Sequence, residues 1–307
     1  VTSPGEEENP RTYSLIVPHG VEVWGGYSED FKTRDILEYR TSFSGIFRQD
    51  DVDVQAYNVV TFTNNTYDAD GELLLEDALA NIQERAVLDG IFIENGMADG
   101  ERMSTGELAE TRVGGAAIVT GYAHIRNCIV QNNTAADMGG GLYLKPGALV
   151  SGSIIQYNAV TGGDGGGVYV EEPEEATGNY ARIYTSDVIY NTASRAGGGI
   201  YFYTNLRANS SLFWQNASGE LANVAGETMP TDAGDRELGI NDYPVSFCAT
   251  ETTREPGINN IAVNTDMNKG VRFDDESYNH DYIASDGTPV KVMHNDHEFY
   301  KLEKYSL

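Results

Sequence analysis

Cysteine, lysine and long apolar runs are all scarce in this sequence, and each scarcity removes a class of protein. Two cysteines, Cys128 and Cys248, in 307 residues are too few for a disulfide framework or a zinc site, although one bridge between them stays open. No stretch approaches the roughly 18 apolar residues needed to span a bilayer, so no transmembrane segment is expected. The opening Val1-Thr2-Ser3-Pro4 has neither a start methionine nor a charged-then-apolar leader. A mature or trimmed product, part of a larger chain or surface assembly, is therefore expected. Basic residues are few: Lys+Arg number 20 against 47 Asp+Glu, a formal charge of −27. Nucleic acid and anionic membrane carry the same sign of charge, which argues against both as partners. Among the five histidines, His19, His124, His280, His294 and His297, no metal-ligand or Ser-His-Asp spacing stands out. No metal site is expected from them.

What the chain does have is glycine, tyrosine and repetition. Five segments end on asparagine: Gly90 to Asn95, Cys128 to Asn133, Ser153 to Asn158, Ser186 to Asn191 and Ser211 to Asn216. The last four asparagines are spaced by 25 residues (133 to 158), 33 (158 to 191) and 25 (191 to 216). The long interval holds an acidic loop, Glu171 to Gly178. A second marker interleaves in phase: Gly114-Gly115-Ala116, Gly139-Gly140-Gly141, Gly165-Gly166-Gly167 and Gly197-Gly198-Gly199, each followed by an apolar β-favouring run. Short β-favouring runs bounded by Gly, Asn and Asp read as strand, turn, strand. A period near 25 residues closes one rung of a β-solenoid. The expected fold is all-β, a single-stranded right-handed parallel β-helix of roughly eight to ten rungs stacked about 4.8 Å apart. One domain spans 1–307, with clear coils over about 15–225 and capping segments at the termini.

Strand alternation assigns the faces. Three residues before each Asn stand Phe92, Val130, Ile155, Val188 and Phe213, expected to form one inner file. Five before it stand Gly90, Cys128, Ser153, Ser186 and Ser211, all small, so Cys128 reads as a buried small residue. Asn95, Asn133, Asn158, Asn191 and Asn216 suit turns, because Asn tolerates the left-handed conformation. Stacked in register, they would form a structural ladder of side-chain amides. The glycine triplets suit turns with positive φ or close backbone approach.

These paired markers, Gly-Gly-Ala/Gly-Ile and Phe-x-x-Asn, resemble the repeats of chlamydial polymorphic outer-membrane proteins. Phe92-Ile93-Glu94-Asn95 and Phe213-Trp214-Gln215-Asn216 match the second motif in full; the other coils carry Val or Ile for Phe. Gly20-Val21-Glu22-Val23-Trp24-Gly25-Gly26-Tyr27, Arg34 and Thr41-Ser42-Phe43-Ser44-Gly45 are similar to the opening coils of Bacteroidota-type β-helix surface proteins. The likeness covers roughly residues 15–225. It implies an extracellular or bacterial outer-membrane-surface protein, often adhesive, and supplies no catalytic residues.

Two regions depart from the repeat. In the insertion 64–86, Leu75, Leu79 and Ile82 have helical spacing after Asp68-Ala69-Asp70-Gly71, which predicts a short surface helix from Glu72 to Arg85. Asp68, Asp70 and Glu72 hint at a calcium loop. The pattern is incomplete, with Thr66 where an EF-hand wants its first Asp and Asp77 where it wants Glu. From 226 to 307 the repeat fades into degenerate coils or a cap.

Two functional readings follow. The first is a non-enzymatic binding or scaffold role, adhesin-like, toward a glycan or another surface protein. It rests on Tyr143, Tyr169 and Tyr201, an outward aromatic stripe following inward Leu142, Val168 and Ile200. Tyrosines one rung apart could stack sugar rings or could simply brace the sheet. The second is a polysaccharide lyase or glycoside hydrolase acting on an acidic glycan, which needs clustered carboxylates and, for a lyase, a basic group. Four residues before each Asn stand Ile91, Ile129, Ile154, Asp187 and Leu212, with one acid among them. Lys145 is the only lysine between residues 33 and 268, so a lyase would have to recruit Arg182 or Arg195. Asn264-Thr265-Asp266 followed by Asp274-Asp275 resembles a polygalacturonase motif, but the two acids stand too close in sequence to lie one coil apart. No catalytic residue is assigned.

Overall fold

The computed structural model describes residues 9–49, 51–63, 85–102, 109–172, 180–203 and 205–219 with their side chains. Beyond these it describes the backbone of Thr66–Tyr67, Leu73–Leu75, Val224–Gly226 and several strands between 245 and 302. The described chain is all-β, with two 3-10 turns and four parallel sheets, an arrangement compatible with a β-solenoid. The first sheet holds seven strands, from Leu15–Pro18 through Val60–Thr63, Ala117–Val119, Leu142–Leu144, Val168–Val170 and Ile200–Phe202 to Val224–Gly226. The second, also of seven, runs from Glu22–Trp24 through Ala86–Asp89, Ala123–Arg126, Leu149–Ser151, Ala181–Tyr184 and Leu206–Asn209 to Val245–Ser246. The third begins at Ser42–Ser44 and Phe92–Glu94 and continues through Ile129–Gln131, Ile154–Gln156, Asp187–Ile189 and Leu212–Trp214. A fourth, of two-residue strands, runs from Met97–Ala98 to Ala217–Ser218. Each of the five repeats from Val60 to Ser218 thus contributes one strand to every sheet, and the next repeat pairs alongside.

Side chains stack by register. Val130 pairs with Ile155, Ile155 with Val188, and Val188 with Phe213, all fully buried in one inner file. The main core gathers such files from the first three sheets, among them Leu142, Val168 and Ile200, and Ile125, Val150 and Ile183. The repeat below departs by one residue from the sequence alignment: Ile93, not Phe92, pairs with Val130. Ile91-Phe92-Ile93 is apolar at both parities, so alternation could not fix its register. Phe92 lies on the opposite face of the strand, where the Arg40 guanidinium sits 4.0 Å from its ring centroid.

The corners explain the small and polar residues. Between the second and third sheets the backbone N–H of Cys128 donates to Ser153 Oγ at 3.2 Å. Ser153 N donates to Ser186 Oγ at 3.3 Å, and Ser186 N to Ser211 Oγ at 3.2 Å. The file of small residues is therefore a hydrogen-bonded ladder. Between the fourth and first sheets, a Cβ on Gly166 would lie 2.3 Å from the Thr192 carbonyl oxygen and 2.4 Å from that of Gly198. The middle glycine is thus required by close approach, whereas Gly139, Gly165 and Gly197 adopt positive φ.

In the first two repeats a charged knot replaces the ladder. Arg34 and Arg126 both pair with the buried carboxylate of Asp89, and Arg34 Nε also donates to the Gly25 carbonyl at 2.9 Å. Burial pushes the Asp89 carboxyl up, but the bonds from Arg34 and Arg126 outweigh it and hold it below the ordinary carboxylate value.

The insertion differs from expectation. Leu73–Leu75 is a strand paired antiparallel with Thr66–Tyr67, where a helix was predicted to begin at Glu72. Asp-Gly between two short β-favouring runs is a hairpin signal as much as a helix cap. Residues 76–84, with Asp77, Leu79 and Ile82, lie outside the described residues, as do Asp68, Asp70, Glu72, Cys248, Asp266 and Asp274. Toward the C-terminus, Ala249–Thr250 and Ile261–Ala262 extend the third sheet. Four strands between Arg272 and Leu302 form a separate antiparallel sheet.

Candidate functional site

The asparagines come first, because they set the turn that shapes the neighbouring surface. Asn133 Nδ2 donates to Asn158 Oδ1 at 2.9 Å, Asn158 Nδ2 to Asn191 Oδ1 at 3.0 Å, and Asn191 Nδ2 to Asn216 Oδ1 at 3.0 Å. Each Oδ1 also accepts the backbone N–H of the Asn one rung below, at 2.9–3.1 Å. All four are buried. The left-handed conformation falls one residue earlier, at Asn132, Tyr157, Tyr190 and Gln215. Asn95 shares that earlier column and takes φ 64°, so it is not a rung of the ladder. Gly96 occupies the ladder position, its N–H donating to Asn133 Oδ1 at 2.9 Å. The one-residue offset seen in the core thus recurs here.

Tyr143, Tyr169 and Tyr201 are register partners on the outer face of the first sheet, above Ile118. Their rings stack at 5.3 and 5.5 Å between centroids, inclined by 14° and 7°. The stripe expected to be open to ligand is nevertheless covered: exposures are 3%, 4% and 8%. Val113, Ala196 and Met138 pack against the file, and Tyr203 meets the Tyr169 and Tyr201 rings edge-on. No open platform for sugar rings exists on it. Tyr143 Oη donates to Glu171 Oε1 at 2.8 Å. Burial, followed by the Glu171 carboxylate, raises the Tyr143 phenol far above its usual value. Burial likewise raises Tyr169, helped by its bond with Tyr203.

Beside this covered file opens a cleft of about 550 Å³. Tyr143, Tyr169 and Tyr203 line one side; Arg102, Arg112, Asp137, Asp164, Arg195 and the Glu171-Glu172 pair line the rest. Four of the charged residues, Arg112, Asp137, Asp164 and Arg195, come from the turns preceding the glycine triplets. Two residues before the triplet stand Arg112, Asp137, Gly163 and Arg195 in successive repeats; one before stand Val113, Met138, Asp164 and Ala196. Neighbouring rungs therefore pair opposite charges. Arg112 Nε and Nη2 grip Asp137 at 2.7 and 2.9 Å, and Arg102 adds a contact at 3.4 Å. Arg195 grips Asp164 with Nε at 2.9 Å and with Nη2, while the Ala196 N–H donates to Asp164 Oδ1 at 3.0 Å. The Arg112 bonds hold the Asp137 carboxyl below its ordinary range despite partial burial. The sequence reading missed these pairs because it followed the strands; a fixed offset from the triplets would have found them.

Cys128 is a free, buried thiol, pushed up to about 12 by burial. His124 Nε2 lies 2.7 Å from Ser151 Oγ, and burial followed by Arg126 and Arg85 lowers its pKa to about 4. Asp187 is buried beneath the outer surface of the third sheet. Among the described residues, no three His, Cys, Asp or Glu side chains gather as a metal cluster, and no helix is long and apolar enough to cross a membrane. No known family, curated protein or solved structure matches the chain.

Proposed function

We propose that this chain is a right-handed parallel β-helix of an extracellular or bacterial-surface protein, and that it binds carbohydrate in the Arg-Asp cleft without cleaving it. The right-handed sense is supported by the strong bias of parallel crossover connections. The surface location is supported by the resemblance of the glycine and asparagine markers to polymorphic outer-membrane repeats.

One observation carries the binding reading: both cleft aspartates have both oxygens engaged by the guanidinium of an adjacent rung. A general acid or base must exchange a proton with substrate, and a carboxylate clamped on two sides is poorly placed to do so. Planar Arg-carboxylate pairs instead present fixed donors and acceptors at their outer edges, and the Tyr203 ring adds an apolar wall. That combination suits sugar hydroxyls.

Arg102 is 76% exposed and Tyr203 half-buried, so both can be changed without orphaning a buried charge. On a glycan array the parent chain is expected to retain a subset of oligosaccharides, which Arg102→Ala and Tyr203→Ala lose. Absence of binding by the parent removes the carbohydrate reading. Steady release of reducing ends or unsaturated uronides would replace it with catalysis.

A further inference from the structure

Thirteen arginines and lysines are described with their side chains, and all but three meet a carboxylate in an ion pair. The three exceptions are Arg85, Arg182 and Arg207, and all three belong to the outer face of the second sheet. Arg182 and Arg207 are direct register partners in neighbouring strands. Arg85, at the start of the Ala86–Asp89 strand, lies close enough to Arg182 for their charges to repel. Like charges directly opposite in a sheet are destabilising. In a chain carrying 47 acidic residues, the lack of a carboxylate at this spot among the described residues is conspicuous.

The guanidinium groups are steadied by contacts that leave their charge uncompensated. Arg85 Nη1 donates to the Gly147 carbonyl at 3.4 Å and its guanidinium stands 5.9 Å from the Tyr122 ring centroid. Arg207 Nη1 donates to the Leu206 carbonyl at 3.0 Å, and its guanidinium covers the Tyr180 ring at 3.7 Å. All three arginines remain half-buried, so part of each guanidinium reaches solvent. His124, two rungs before Arg182 in the same column, is kept neutral first by burial and then by Arg126 and Arg85, against the Asp89 and Glu22 carboxylates.

The geometry points to a second binding site on this face, formed by Arg85, Arg182 and Arg207, for an acidic polysaccharide laid along the stacking direction. Charge selects the class: three unpaired cations on an otherwise strongly acidic protein attract an anion locally and repel it elsewhere. Arg182 and Arg207 stand on successive rungs, their backbones about 4.8 Å apart, and Arg85, three rungs before Arg182, extends toward them as far as the Gly147 carbonyl. Tyr122 and Tyr180, half-buried beside Arg85 and Arg207, favour a glycan over a peptide, because aromatic rings suit the apolar faces of sugars. This site is separate from the cleft and does not rest on the reading given for it.

The test uses the whole chain and fluorescence anisotropy with labelled oligogalacturonate, its methyl-esterified neutral counterpart, and poly-glutamate. Oligogalacturonate is expected to bind, to weaken at least tenfold in the Arg182→Gln/Arg207→Gln variant, and to weaken with salt. The neutral glycan and poly-glutamate should bind at least tenfold more weakly, and Arg48→Gln, which removes an exposed cation on the hairpin of Ile46–Gln49 and Val52–Gln55, should leave the affinity unchanged. The double variant should melt at or above the parent temperature, since it relieves repulsion. Lack of oligogalacturonate binding, equal affinity in the double variant, or equal affinity for poly-glutamate each overturns the proposal, the last in favour of an acidic peptide partner.

Discussion

Asp187 occupies an outer file of the third sheet between Ile154 and Leu212, buried, with desolvation the only influence on its carboxyl. Burial pushes its pKa up to about 7. In the unfolded chain an aspartate titrates near 3.9. Between about pH 4 and the folded value, the unfolded chain has released this proton while the folded chain keeps it. The native state therefore binds more protons, and stability falls as pH rises across that window, by about 1.4 kcal/mol per unit. The loss amounts to about 4 kcal/mol at most once pH passes the folded value, and is constant beyond it. Asp187→Asn keeps the shape and cannot ionise. Urea unfolding of parent and variant should give similar stabilities near pH 4, with the variant gaining by a few kcal/mol near pH 8. Comparing the two cancels every other titrating group. A stability difference that stays the same at both pH values would refute the reasoning, because it would mean that Asp187 titrates normally in the folded chain.

Two further outcomes follow from the ladders and the core. Asn158→Ala removes the acceptor of the Asn133 backbone N–H and leaves that buried group unpaired, which costs about 1–3 kcal/mol before the cavity left by the lost side chain is added. A denaturation midpoint indistinguishable from the parent's would show the ladder to be dispensable. Cys128, in a chain carrying Cys248→Ser, should resist alkylation by iodoacetamide near pH 8 until the protein is unfolded, since its thiol titrates near 12. Rapid labelling of the folded chain would contradict its burial.

The sequence by itself determined the period and the kinds of residue at each corner. Markers returning every 25 residues, or 33 where an acidic loop intervenes, can only stay in phase if equivalent residues lie over one another, and Val130, Ile155, Val188 and Phe213 do. Small residues at Cys128, Ser153, Ser186 and Ser211 followed from the same phase, though their hydrogen bonding did not. Register at Phe92-Ile93 was not legible, because an apolar run reads alike at either parity; only pairing with Ile129-Val130 decided it, and the place of Asn95 with it. Leucines at helical spacing misled at Leu73–Leu75, where pairing with Thr66–Tyr67 overrode the local preference. Tertiary structure alone decided which outward side chains meet solvent. Alternation points Tyr143, Tyr169 and Tyr201 away from the core, but it cannot say that Tyr203 and the turn residues close over them. It cannot say either that Arg112 meets Asp137 or that Arg182 stands beside Arg207 rather than a carboxylate. Those contacts join residues about 25 positions apart, and they exist only once one rung has been laid upon the next.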